Sequence, residues 1–260
     1  MKRIAIVLVA LALIASPLFA AGITDSTKPL GHMKWSMALE DNYVFNRDIE
    51  KLASRDKFEF EKINQIYGKA TLGFTPYFNI YAKLGGSDSG EIKTNNLATG
   101  NSYDLESKYG FLWGLGVSGA KEFWEGWKLG LDAQFNYWKA DADKIKSSYG
   151  DKATRVSGDI KNFEFQGTPF ITKKFDFPES GLVFNPYLGV KFSYFKTESD
   201  NIKYTLSAGD NRTDSWSLKG DNNVGIVVGS NLEFAEKWAM QLEGRFIDEA
   251  AMTVGASYRF

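Results

Sequence analysis

The chain ends on AMTVGASYRF, residues Ala251 to Phe260, and the reading of these ten residues decides the fold. Met252, Val254, Ala256, Tyr258 and Phe260 share one parity, while Thr253, Gly255, Ser257 and Arg259 share the other. Alternation of this kind is the period of an extended strand with one apolar and one polar face. The apolar face needs a cover, and only two are available: a second sheet or lipid.

Composition narrows the choice. The 260 residues suit one or two soluble domains or a single large β domain. The absence of cysteine excludes disulfides, thiolate metal sites and a cysteine nucleophile, and the single histidine, His32, leaves little room for metal or acid–base chemistry. Aromatic residues make up 15% of the chain while its mean hydropathy stays below zero. Strands that face lipid on one side and water on the other have that mixture. The formal charge of −1 offers no basic excess for nucleic acid.

The amino terminus predicts a cleaved secretory leader over residues 1–22 and a barrel over 23–260. Lys2 and Arg3 precede an apolar run from Ile4 to Ile14, followed by Ser16, Pro17 and the small residues Ala20, Ala21 and Gly22. Cleavage after Ala20 and cleavage after Gly22 both fit. The run falls short of the roughly 20 residues that a spanning helix needs.

Further strands follow the same period. Trp35, Met37, Leu39, Tyr43 and Phe45 share a face that Asp41 interrupts once, and Phe58 to Leu72 keeps its parity only if a bulge or bend falls near Lys62 and Asn64. Tyr77 to Leu84, Tyr109 to Val117, Trp127 to Trp138, Ile160 to Ile171, Leu182 to Tyr194, Val224 to Leu232 and Trp238 to Phe246 complete the set. Gly110, Gly114 and Gly116 predict an interior where bulky side chains from across the lumen need room. The count is about ten antiparallel strands, with eight as the alternative if the first two segments are not wall.

The connections alternate in length. Those near 46–57, 86–107, 140–158 and 196–222 are long and polar, the last with a small patch at Tyr204, Leu206 and Trp216. Those near 73–76, 121–126, 175–181 and 235–237 are short, and a brief link at 247–249 breaks the alternation. Phe123, Trp124, Trp127, Phe175, Phe177, Phe234, Trp238 and Phe260 gather at the short-turn ends. Tyr43, Phe58, Tyr109, Tyr137, Tyr194 and Phe246 gather near the long-loop ends. Pro76, Pro169 and Pro186 sit near short turns, where a missing N–H costs little. Sorted loops and two aromatic bands are properties of a transmembrane up-and-down β-barrel, and a soluble sandwich has no need of them.

On these residues the chain resembles small bacterial outer-membrane barrels of the OmpA-like or opacity-protein-like kind. The resemblance rests on architecture. It implies an all-β barrel in the outer membrane of a Gram-negative-type bacterium, exported by the general secretory route. It also implies Tyr258 and Phe260 as the signal read by the barrel-assembly machinery, with outer-membrane lipid and lipopolysaccharide as surroundings.

The inward faces carry Lys83, Lys128, Asp132, Glu164, Lys191, Glu233, Glu243, Arg245 and Arg259 as candidate lumen-lining residues. They read either as a charged constriction passing small solutes or as a filled lumen of paired charges; a barrel of this strand number is narrow, which favours filling. No catalytic, cofactor or metal constellation stands out. Asp141 with Asp143, and Asp200 near Asp210, lack a calcium ligand set. Omptin-type surface proteases resemble the architecture but place a histidine at the extracellular rim, whereas His32 is expected at the opposite end. The functional expectation is a structural barrel or narrow porin-like pore, with an adhesin acting through its long loops as the alternative.

Overall fold

The computed structural model describes residues 26–49, 56–96, 101–147, 153–205 and 211–260. The predicted leader, the Phe58 side chain and Leu206 fall outside the described residues and side chains. Among those described there are fourteen antiparallel strands and no helix. They are β1 (Trp35–Ile49), β2 (Asp56–Gly73), β3 (Phe78–Ser87), β4 (Glu91–Asn96), β5 (Asn101–Ser107), β6 (Gly110–Trp124) and β7 (Trp127–Ser147). The rest are β8 (Thr154–Lys173), β9 (Phe175–Phe177), β10 (Leu182–Thr205), β11 (Asn211–Lys219), β12 (Val224–Phe234), β13 (Trp238–Phe246) and β14 (Glu249–Arg259).

Ten of these close a ring in the order β1, β2, β3, β6, β7, β8, β10, β12, β13, β14. The last strand meets the first from Ser36 opposite Arg259 to Arg47 opposite Glu249. The seam is finished by the Phe260 N–H donating to the Trp35 carbonyl at 3.0 Å, with the two rings stacked at 3.9 Å. Closure removes every edge that lipid could not satisfy.

The outward face of the ring is apolar between the two aromatic bands. Along β7, Leu129 and Leu131 are exposed and Ala133, Phe135 and Tyr137 continue the row, while Asp132, Gln134 and Asn136 point inward and are buried. Ten residue steps from Trp127 to Tyr137 cover about 33 Å of strand, or about 25 Å along the barrel axis at a tilt near 40°, the height of a lipid-facing band.

The long polar connections are not loops over most of their length. β1 runs on to Ile49, β7 to Ser147 and β10 to Thr205, and the segments read as 86–107 and 196–222 contain β4, β5 and β11. Residues 175–177, read as part of a turn, pair with β10 as β9. The wall therefore continues well beyond the lipid band, with inverted polarity. Lys139, Asp141 and Asp143 turn outward while Trp138, Ala140, Ala142 and Ile145 turn in and are buried. Outside this extension lies water, and inside it lies the opposite wall, so apolar side chains move to the interior.

The segment expected to carry a bulge or bend, β2, shows that irregularity. Lys62 takes φ 60°, and across it the parity reverses: Phe60 is buried, and beyond the kink Ile63, Gln65, Tyr67 and Lys69 are the buried residues. The glycine expectation changes in detail. Gly116 makes room for Tyr81 and Gly229 for Tyr187, each ring lying on the neighbouring strand at the directly opposed position instead of reaching across the lumen.

Candidate functional site: the lumen

Seven of the nine candidate lumen residues, Lys83, Asp132, Glu164, Lys191, Glu233, Glu243 and Arg245, turn inward and none is more than 5% exposed. Side chains lining a water-filled channel would be exposed to solvent, and these are not. Lys128 and Arg259 lie half-buried near the short-turn mouth.

Three polar layers and an apolar cap fill the interior. At the short-turn end, residues 26–30 enter the barrel. Ser26 and Thr27 are 0% exposed, and the Ser26 hydroxyl donates to Asp132 Oδ2 at 3.0 Å. The Lys128 ammonium donates to the Thr27 carbonyl at 3.3 Å, and the Leu30 N–H to Asn79 Oδ1 at 3.1 Å. Glu233 receives Lys28, Arg259 at 2.8 Å and the Asn185 amide at 3.1 Å. This strap ties β3, β7 and β12 across the mouth. His32 follows it, exposed at the same end, with Nδ1 2.9 Å from the Phe74 carbonyl oxygen.

The middle layer is polar and aromatic. Tyr81 donates to Asp132 at 2.9 Å, and Lys83 donates to Gln134 Oε1 at 2.5 Å. Gln134 in turn donates to Gln166 at 3.0 Å. The Lys69 ammonium lies 3.6 Å from Glu40 and 4.2 Å from the centre of the Tyr81 ring. Tyr187 donates to Glu243 at 2.7 Å.

Above it sits a dense ionic cluster. Glu249 is shared by Arg47, Lys191 and Arg245, the last at 2.6 Å. Asp248 takes Lys191 at 2.7 Å and the Ser193 hydroxyl at 2.9 Å, and Arg47 also reaches Glu164. A buried charge without a partner is costly, and here each charge has at least one partner of opposite sign. The Arg47 guanidinium lies 4.5 Å above the Phe195 ring, the entry to an apolar cap of Phe60, Trp138, Ile160, Phe195, Ile202 and Leu218 inside the wall extension. Tyr204 and Trp216 pack against this cap, which gives the apolar patch seen in the sequence its place.

Several of these residues escape sequence reading. Arg47 lies in a stretch whose charge density reads as loop, and Asp248 and Glu249 read as a link. Lys69 and Glu40 could have been assigned to the interior by parity alone; the kink at Lys62 hides the first and Asp41 blurs the second.

A family model described as Chlamydia major outer membrane protein matches residues 213–260. Two Chlamydia trachomatis proteins, the major outer membrane porins of serovars B and D, are each 31% identical over 111 residues. The alignment covers 30% of this chain and 28% of each porin. The chain is an outer-membrane β-barrel. Its lipid-facing band and paired aromatic girdles are joined by sequence likeness over the closing strands β12 to β14, which carry Glu233, Glu243, Arg245, Asp248, Glu249 and the terminal seam. Among solved structures, the barrel overlaps the outer-membrane protease OmpT of Escherichia coli at a TM-score of 0.48 and 11% identity, covering 88% of this chain and 94% of that one. The translocator domain of the autotransporter NalP from Neisseria meningitidis gives 0.46 and 13%, covering 92% of each.

Proposed function

We propose that this protein serves the outer membrane as a closed structural barrel whose interior is filled rather than conducting. The burial of its inward charges carries this reading: strap, ionic cluster and apolar cap follow one another along the axis. Single-channel recording on the folded, purified barrel in planar bilayers tests it. Silence is expected, and discrete, reproducible conductance steps would overturn it.

A narrow pore is the second reading, favoured by the partial likeness to the two porins. Conduction would require the Arg47, Lys191, Arg245 and Glu249 cluster to part and the cap to open. In that case, removing the strap through Ser26→Gly with Lys28→Gln would raise conductance, whereas a filled barrel stays silent.

A further inference from the structure

Directly beyond the aromatic band at the extended end, the outward face of the wall changes from rings to ammonium groups. Lys139 follows Tyr137 on the same face of β7, Lys161 precedes Phe163 on β8, and Lys196 follows Tyr194 on β10. The register sets Lys139 opposite Lys161 and Lys196 opposite Lys219, while Glu198 stands opposite Lys161 on its other side. The next tier outward is acidic, with Asp141 opposite Asp159 and Asp159 opposite Asp200.

Like charges directly opposed across strands destabilise a sheet, yet both tiers have them. Compensation is diagonal, from Lys139 to Asp159 at 2.6 Å and from Lys161 to Asp200 at 2.9 Å, or along the strand from Lys196 to Glu198. Exposed pairs of this sort are weak. The lysines stand beside the lipid band, with Glu198 among them, and the tier of aspartates stands farther out. Sheet stability alone would not require that order, whereas anionic headgroups at the leaflet surface attract lysines at that depth.

We infer that Lys139, Lys161, Lys196 and Lys219 form a docking surface for the phosphate groups of outer-leaflet lipids. The inference rests on the membrane reading. The occupant is the lipid headgroup, since the lysines project at the edge of the band where acyl chains hold phosphates in register with them, and free phosphate has no such anchor.

Native mass spectrometry of the folded barrel in neutral phosphatidylcholine tests it, with phosphatidate and the matching diacylglycerol as probes. Phosphatidate is retained and diacylglycerol is not. The Lys139→Gln, Lys161→Gln, Lys196→Gln triple lowers phosphatidate retention at least about tenfold at low salt. The corresponding Lys→Arg triple keeps it. A control of equal charge farther out, Lys93→Gln with Lys144→Gln and Lys146→Gln, also keeps it. Equal retention of the two lipids, equal loss in the control triple, or displacement by equimolar inorganic phosphate would each overturn the inference. Heat-modifiable migration of the parent checks the barrel separately. If the glutamine triple lacks the folded band, Lys219→Glu alone replaces it, and unchanged phosphatidate retention in that variant overturns the inference.

Discussion

Glu249 is the residue on which the interior turns, because one carboxylate serves Arg47, Lys191 and Arg245. Replacing it by alanine leaves three buried cations short of a counter-charge. The expected cost is about 3–5 kcal/mol, read as a lower urea midpoint of the detergent-folded barrel. Asp88 is a second informative residue, placed in the link between β3 and β4. Its carboxylate accepts N–H bonds from Asn64 at 2.8 Å and Gly90 at 3.1 Å, yet burial outweighs them and pushes its pKa up to about 6. Because this lies above the ordinary 3.8, the folded chain holds the proton more tightly than the unfolded chain does. The resulting stabilisation is complete below about pH 4 and is lost as pH rises through about 6. Asp88→Asn is expected to flatten that part of the stability–pH curve, and an unchanged curve would assign the slope to another group.

At the scale of the element, β14 closes the ring. Trp238, Tyr258, Phe260 and Trp35 form a continuous aromatic contact across three strands, with Tyr258 4.9 Å from both Trp238 and Phe260. Deleting Phe260, or replacing Tyr258 and Phe260 by aspartate, is expected to reduce the heat-modifiable form in outer-membrane fractions more than any substitution in the wall extension. Cross-strand seating gives a second test: a Cβ at Gly229 would lie 2.4 Å from the Tyr187 ring. Gly229→Val should therefore cost about 1–3 kcal/mol through overpacking, measured by the same urea titration.

Sequence alone reveals β14 and the lipid-spanning parts of β7 and β10, because lipid outside and a polar interior give a clean period of two. The continuation of β7 past Tyr137 stays hidden even though the alternation persists. Lys139, Asp141 and Asp143 fall where apolar residues had been, and a reading tuned to apolar-out faces treats the reversal as loop. The ionic cluster is partly visible for the same reason: Glu164, Lys191, Glu243 and Arg245 have regular strand parity, while Arg47 and Glu249 lie where parity had been given up.

For the whole molecule, one wall serves two environments by exchanging its faces at the upper aromatic band, and the interior is packed on both sides of that exchange. The chain has no native cysteine, so single cysteines along β7 report each position cleanly. The most direct test is a scan from Leu129 to Asp143 in reconstituted membranes, read with lipid-soluble and water-soluble quenchers. Odd positions through Tyr137 should respond to the lipid-phase quencher, and odd positions from Lys139 onward to the aqueous one. Gln134, Asn136, Trp138 and Ala142 should be shielded from both. Aqueous quenching at Gln134 and Asn136 would contradict the filled lumen, and aqueous quenching at Leu131 or Phe135 would contradict the membrane-spanning wall.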